Sequence, residues 1–416
     1  MTLRWAGVGL AALALVAAPG VASAWTKGDT MPVSGIVGSK TGLTNPAGVA
    51  FDSQGRMYVV DAVGAVRMYA AGASGDVAPR KTLTGDATGL ASPFGIAFDA
   101  AGRMYVSNVQ AKSITVYAAD WASGNTAPLK TLSGPATGLA SPSGIAFDSA
   151  GKMYVADPTG NNVLVYAANW ADGDTAPIKF LGGPNSGIDF PTGVAFDASG
   201  QLYVTNNRAN SITVYPANWA SGDTPPTKVL SGPDTGIAAP IGLAFDYLGR
   251  MNVLNLTDLQ CNEGTVSTVA LWPADWAPGN TPPTKVLKGA KTRMECPYGI
   301  AFGPTGVMYL ANALGQSVLG FATDVTVKIQ GKRTAPTAIT LAGVTSGVAR
   351  GTSITAYVRL KAPKQKFVAQ SAITLKQGDL AKGTFTYPIS KLKASRAYEV
   401  YVVIGSTKSA TITVNP

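Results

Sequence analysis

Apolar residues in this chain come in short runs with polar residues interleaved. Ser113-Ile114-Thr115-Val116-Tyr117 alternates polar and apolar positions, the period-two pattern of a strand that buries one face. Upstream, Gly95-Ile96-Ala97-Phe98 and Met104-Tyr105-Val106 predict two shorter strands. Asp99-Ala100-Ala101-Gly102 between them reads as a tight turn, capped by the Asp side chain and closed by a glycine at positive φ. Lys130-Thr131-Leu132-Ser133-Gly134 supplies a fourth, outer strand. So small a unit cannot bury a face alone, so such units must stack side by side.

The unit recurs. Pro-x-Gly-(Ile/Val/Leu)-Ala-Phe-Asp-x-x-Gly-x-(Met/Leu)-Tyr-Val starts at Pro46, Pro93, Pro142, Pro191, Pro240 and Pro297, with small departures such as Gly303 in the last copy. The intervals are 47, 49, 49, 49 and 57 residues, a period that belongs to propellers and other repeat arrays. Trp25-Thr26-Lys27-Gly28-Asp29-Thr30 matches Trp219-Ala220-Ser221-Gly222-Asp223-Thr224, and the match runs without a gap to Pro46. The last repeat, near Phe321, stops where this half unit would follow. An all-β, six-bladed β-propeller closed by its N-terminal strand explains both ends, and it leaves no bare sheet edge.

The unit resembles the NHL repeat of six-bladed propellers. The residues that carry the likeness are Pro142-Ser143-Gly144-Ile145-Ala146-Phe147-Asp148, Gly151-Lys152-Met153-Tyr154-Val155-Ala156-Asp157 and Asn162-Val163-Leu164-Val165-Tyr166. The resemblance implies a propeller over residues 25–330. It leaves function open, because that family spans binding modules, sensors and enzymes.

After a short linker around Gly331–Pro336, residues 331–416 read as a small β-sandwich. Strand-like runs fall at Ala338–Leu341, Ser353–Leu360, Ser371–Lys376, Gly383–Tyr387, Glu399–Ile404 and Ser409–Val414. Leu392 and Tyr398, six residues apart, resemble the tyrosine-corner pair of the fibronectin type III fold, with Ala394 where a Pro is common.

Charge changes the picture at this point. From residue 326 onward there are fourteen Lys or Arg against Asp379 and Glu399, within a net charge of +10 for the whole chain. Such asymmetry speaks of partners rather than fold. An anionic envelope glycan suits the basic end, unless that end is simply a soluble face. Nucleic acid does not fit, since aromatics are not interleaved with the basic residues as stacking platforms.

Residues 1–24 read as a secretory signal: Arg4, the apolar stretch Trp5–Ala18, and Ala22-Ser23-Ala24 at a cleavage site. Pro19-Gly20 cuts the apolar run short of a membrane span. The expectation is a soluble monomer that is secreted, periplasmic or on the cell surface. In such a compartment Cys261 and Cys296, the only two cysteines, sit on one face of adjacent blades and predict a disulfide.

Chain direction puts the proline loops and the turns after the second strands on one rim. Each second strand ends there in Asp or Asn: Asp61, Asn108, Asp157, Asn206, Asn255 and Asn312. Two readings stay open. These groups converge on the pore, or they cap turns by accepting from nearby amides. The residue after each proline varies most, as Ala47, Phe94, Ser143, Thr192, Ile241 and Tyr298. Variable tips on a uniform scaffold are how a ring carries a site. The expected ligand-binding rim is Asp61, Phe94, Asn108, Asp157, Thr192, Asn206, Arg208, Asn255, Tyr298 and Asn312, with no catalytic residue and no metal ligand assigned.

Gluconolactonase-type lactonases are similar six-bladed folds that hold a divalent metal with Glu, Asp and Asn near the pore. That resemblance implies at most a weak Ca²⁺ site on Asp61, Asp157 and neighbouring Asn. The three glutamates, Glu263, Glu295 and Glu399, all lie outside the first strands, and otherwise no cofactor is expected. Asp52, Asp99, Asp148, Asp197 and Asp246 open turns on the opposite face. Trp121, Trp170, Trp219 and Trp276, one per blade, suit packing between blades better than sugar stacking. The reading is a binding or scaffold protein for a protein, peptide or envelope glycan, and more a binder than an enzyme. The alternative is a metal-assisted hydrolase of lactones or esters.

Overall fold

The computed structural model describes residues 28–323 apart from 247, 260, 263 and 264. It also describes the backbone of the strands between 326 and 414. The expected signal at 1–24 and Leu392 lie outside the described residues.

Six four-stranded antiparallel sheets form a six-bladed β-propeller. Blade three is typical, with strands Ile145–Phe147, Met153–Asp157, Asn162–Tyr166 and Lys179–Leu181 in that order from axis to rim. Blade six runs Pro297–Phe302, Met308–Asn312, Ser317–Phe321, and its outer strand is Ser34–Ile36, with Ser34 opposite Gly320 and Ile36 opposite Val318.

The repeat motif is legible as packing between blades. In blades one to four the Tyr of the second strand meets the Phe of the next blade's first strand edge-on: Tyr58 with Phe98, Tyr105 with Phe147, Tyr154 with Phe196 and Tyr203 with Phe245, with ring centroids 4.8–4.9 Å apart. Tyr309 of blade six lies against Phe51 of blade one at 5.0 Å with its ring tilted. Such pairs add about 0.5–1.5 kcal/mol each beyond the area they bury. Burial first, and the adjacent turn Asp second, push the hydroxyls of Tyr105, Tyr154 and Tyr203 up to about 12. The turn aspartates are held as expected. Asp99 accepts from Ala101 N, Arg103 N and Arg103 Nε.

The tryptophans also sit between blades. Trp121, Trp170, Trp219 and Trp276 are buried. Each lies under a lysine from the preceding blade's outer strand, and Lys179 Nζ stands 4.2 Å from the Trp219 ring centre.

Beyond the propeller, Thr326–Ala335, Ala338–Ser346 and Thr384–Ile389 form a three-stranded antiparallel sheet. A second sheet is centred on Ser353–Leu360 paired with Tyr398–Ile404, and the Tyr398 side chain is buried. The segment read as a linker from its Gly and Pro is largely strand. Gly331 sits mid-strand opposite Leu341, so these strands begin at Thr326 rather than after 331.

Candidate ligand site at the mouth of the ring

The first strands converge on the axis, and their backbones come too close for side chains at the motif glycine. A Cβ on Gly95 would lie 2.2 Å from the Ser143 carbonyl oxygen, and one on Gly299 2.5 Å from that of Ala47. Glycine is the residue that permits such an approach. The next residues, Val49, Ile96, Ile145, Val194, Leu243 and Ile300, line a narrow channel together with the glycine backbones. At the proline-loop end the channel opens into a cavity of about 290 Å³, lined by Asn45, Ala47, Ala62, Phe94, Thr192, Ile241, Leu259 and Tyr298.

This mouth has two unlike arcs. From blade two to blade five, hydroxyls tie each blade to the next: Ser107 Oγ donates to Ser143 O, Ser143 Oγ to Thr192 O, and Thr192 Oγ1 to Pro240 O. From blade five round to blade two the arc is apolar. Ile241, Leu256 and Cys296 are buried there against Phe94, Leu259, Cys261 and Tyr298.

The longest repeat interval explains the second arc. Blade five carries its extra residues between Met251–Leu256 and Ser267–Trp272. That insertion folds over the mouth. Tyr298 Oη donates to Leu259 O at 2.7 Å and lies 3.1 Å from Cys261 Sγ, while Phe94 and Tyr298 pair edge-on at 5.8 Å. Cys261 and Cys296 form a disulfide that fastens the insertion to the loop leading into blade six. Burial, helped by the charge of Asp258, raises the Tyr298 pKa, so its hydroxyl keeps its proton at neutral pH.

Of the rim residues read from sequence, Phe94, Thr192 and Tyr298 come together in the cavity. The six Asp and Asn residues lie behind it, each buried. Each carries a side-chain oxygen that accepts from the loop ahead of its own blade's proline. Asp61 takes Thr44 N and Asn45 N, Asn108 takes Ala91 N, and Asp157 takes Ala140 N and Ser141 N. Asn206, Asn255 and Asn312 take Asp189 N, Ala238 N and Glu295 N. The capping geometry is thus present in all six blades. Arg208 is exposed and lies over the Phe190 ring at 4.4 Å, outside the cavity.

Asn45, Ala62 and Leu259 line the cavity without having been singled out. Only the 57-residue interval hinted at Leu259. Among the described residues, no group of three or more His, Cys, Asp or Glu could hold a metal ion. Asn255 begins a glycosylation sequon, but at 1% exposure it cannot take a glycan in the folded chain.

The fold and mouth define a six-bladed propeller with a loop-built cavity at one end of its channel. The SMP-30/gluconolactonase/LRE-like region matches residues 11–178 and the NHL repeat matches residues 189–215. No curated protein matches the chain in sequence. Similar solved structures include a streptogramin B lyase, 15% identical, covering 69% of this chain and 95% of its own, with a TM-score of 0.45. A virginiamycin B lyase from Staphylococcus aureus with quinupristin is 11% identical, covering 76% and 96%, with a TM-score of 0.47. The extracellular domain of a one-component system from B. thetaiotaomicron is 11% identical, covering 93% of this chain and 59% of its own, with a TM-score of 0.42.

Proposed function

We propose that this chain is an exported binding protein that grips a partner in the mouth of a ring sealed by its N-terminal segment. The basic end, folded as a fibronectin-like sandwich, orients or tethers it in the envelope. The observation that carries the reading is the 290 Å³ cavity, whose lining is built from the residues that differ most between blades. A disulfide holding the roof of that cavity supports an oxidising compartment, and the leader-like residues 1–24 support export. Ring closure is supported by Ser34–Ile36 serving as the fourth strand of blade six. The partner classes that suit this surface are a protein, a peptide or an anionic envelope glycan.

The reading is tested by screening the full chain on peptide and glycan arrays beside Ala62→Trp, which fills the cavity from its half-exposed wall. Partners of the mouth should be lost in the variant. Partners retained at full strength would place binding elsewhere.

A hydrolase of lactones or esters is the second reading, favoured by the family match over residues 11–178. It requires Asp61 or Asp157 to leave the backbone amides they now accept. Lactone turnover that needs added Ca²⁺ and disappears in Asp157→Ala would establish it.

A further inference from the structure

We propose that the mouth cavity is an anchor pocket for an uncharged bicyclic aromatic side chain, so that the partner is a polypeptide presenting an exposed tryptophan. This rests on the mouth being the binding site, and adds what it selects.

Four features of the lining select the group. The first is size. An apolar cavity of about 150 Å³ holds benzene, and this one, at about 290 Å³, has room for a second fused ring. The second is the wall. Phe94 and Tyr298 stand edge-on at 5.8 Å, and Ile241 and Leu259 close the other sides, a surface suited to a flat ring. The third is charge. No acidic or basic side chain lines the cavity, so an ionised group would lose its hydration without a counter-ion. The fourth is the polar inventory. The Thr192 hydroxyl is already spent on Pro240 O, and that of Tyr298 on Leu259 O. The carboxamide of Asn45 has no partner among the described residues. Its oxygen, beside the lone pairs that those two hydroxyls keep, can accept from a donor carried by the ring, and indole carries one N–H and no acceptor.

Tryptophan, with tyrosine and arginine, is enriched among the strong anchors that fill pockets at protein interfaces. The disulfide and the Tyr298–Leu259 hydrogen bond tie Cys261 and Leu259 to blade six before any partner arrives.

The test uses the oxidised full chain and three blocked tripeptides, with Trp, 2-naphthylalanine or Leu between two glycines, followed by ligand-observed NMR and displacement by free indole. The Trp peptide should bind and be displaced by indole. The Leu peptide should bind about tenfold more weakly, since it forfeits the ring contacts. Asn45→Ala should weaken the Trp peptide about tenfold, the worth of one buried hydrogen bond. It should leave the 2-naphthylalanine peptide unchanged, because that ring has no N–H. A general disturbance of the loop would weaken both. Ala62→Trp should abolish binding, and a circular dichroism melt confirms that it folds. Indole binding without the Trp peptide would overturn the proposal in favour of a free small molecule. Failure of all aromatic probes, while array partners still depend on Ala62, would overturn the tryptophan anchor and leave the mouth site standing. Array partners indifferent to Ala62→Trp would remove the site itself.

Discussion

Asp157 and Asn206 hold equivalent places one blade apart and solve the same problem differently. Asp157 Oδ2 accepts from Ala140 N at 2.6 Å, and Oδ1 accepts from Ser141 N and Gly160 N. Asn206 has one oxygen, used for Asp189 N, and its Nδ2 donates to Thr213 Oγ1. With no second acceptor in its own blade, the next amide turns elsewhere. Phe190 N donates to Asn161 Oδ1 of the preceding blade, and Phe190 takes a φ of 55°. Ser92, Ala239 and Cys296, the residues before proline in the other Asn blades, also lie at positive φ, whereas Asn45 and Ser141 in the two Asp blades do not. Positive φ at a side-chain-bearing residue is strained, so Asp here buys a relaxed loop at the cost of a buried charge. Asp157→Asn would keep its one oxygen for Ala140 N–H, as the Asn blades do for the equivalent amide, and set an NH₂ against Ser141 N–H. We expect a loss of about 1–3 kcal/mol, the desolvation cost of a buried unmet donor, read from urea unfolding. An unchanged midpoint would mean the cap is idle. The sequence showed the Asp and Asn series but left pore-facing and capping roles open, because both residue types suit either. What separates them is the distance to loop amides seventeen residues upstream, which spacing alone does not give.

At the scale of elements, the blade-five insertion is the longest departure from a uniform repeat, and its Leu259 roofs the mouth. Blade phase alone put Cys261 and Cys296 on a common face. It could not tell that the extra residues turn inward over the channel, since an insertion's length says nothing of its path. The turn depends on tertiary contacts, with Tyr298 holding Leu259 O and the disulfide holding Cys261. The cross-link spans a sequence separation of 35 residues. By loop-closure entropy, losing it costs roughly 4 kcal/mol. Because the loop joins blades five and six only, the expected outcome of Cys261→Ser with Cys296→Ser is a lower urea midpoint. Hydrogen exchange in blades two to four should stay at wild-type protection until global unfolding. Exchange rising uniformly from the start would show that the fastening supports the whole ring rather than its roof.

For the whole molecule, the question is whether the seam where the N-terminal segment completes blade six carries load like any other junction. Each junction is built alike. An Asp or Asn in the turn before a blade's outer strand accepts from the backbone of the short turn following the preceding blade. Asn125 takes Ala87 N, Asp174 takes Ala136 N, Asp223 takes Asn185 N and Asn280 takes Asp234 N, at 2.7–2.8 Å. At the seam Asp76 takes Lys40 N at 2.7 Å, and Asp29 takes Lys291 N at 2.6 Å across nearly the whole chain. The parallel backbone contacts repeat as well, with Leu132 opposite Gly173 within the ring and Leu287 opposite Gly28 at the seam. The match of Trp25–Pro46 to a later half repeat predicts these equivalences, because a periodic sequence sets which residues correspond. Equivalence of position becomes equivalence of energy only if the N-terminal segment stays docked. Asp29→Ala and Asp174→Ala remove the same bond, one at the seam and one inside the ring, and each should cost about 1 kcal/mol. Equal shifts of a single cooperative urea transition are expected. A silent Asp29→Ala beside a destabilising Asp174→Ala would mean the segment frays before the ring unfolds, and the ring would then open at blade six.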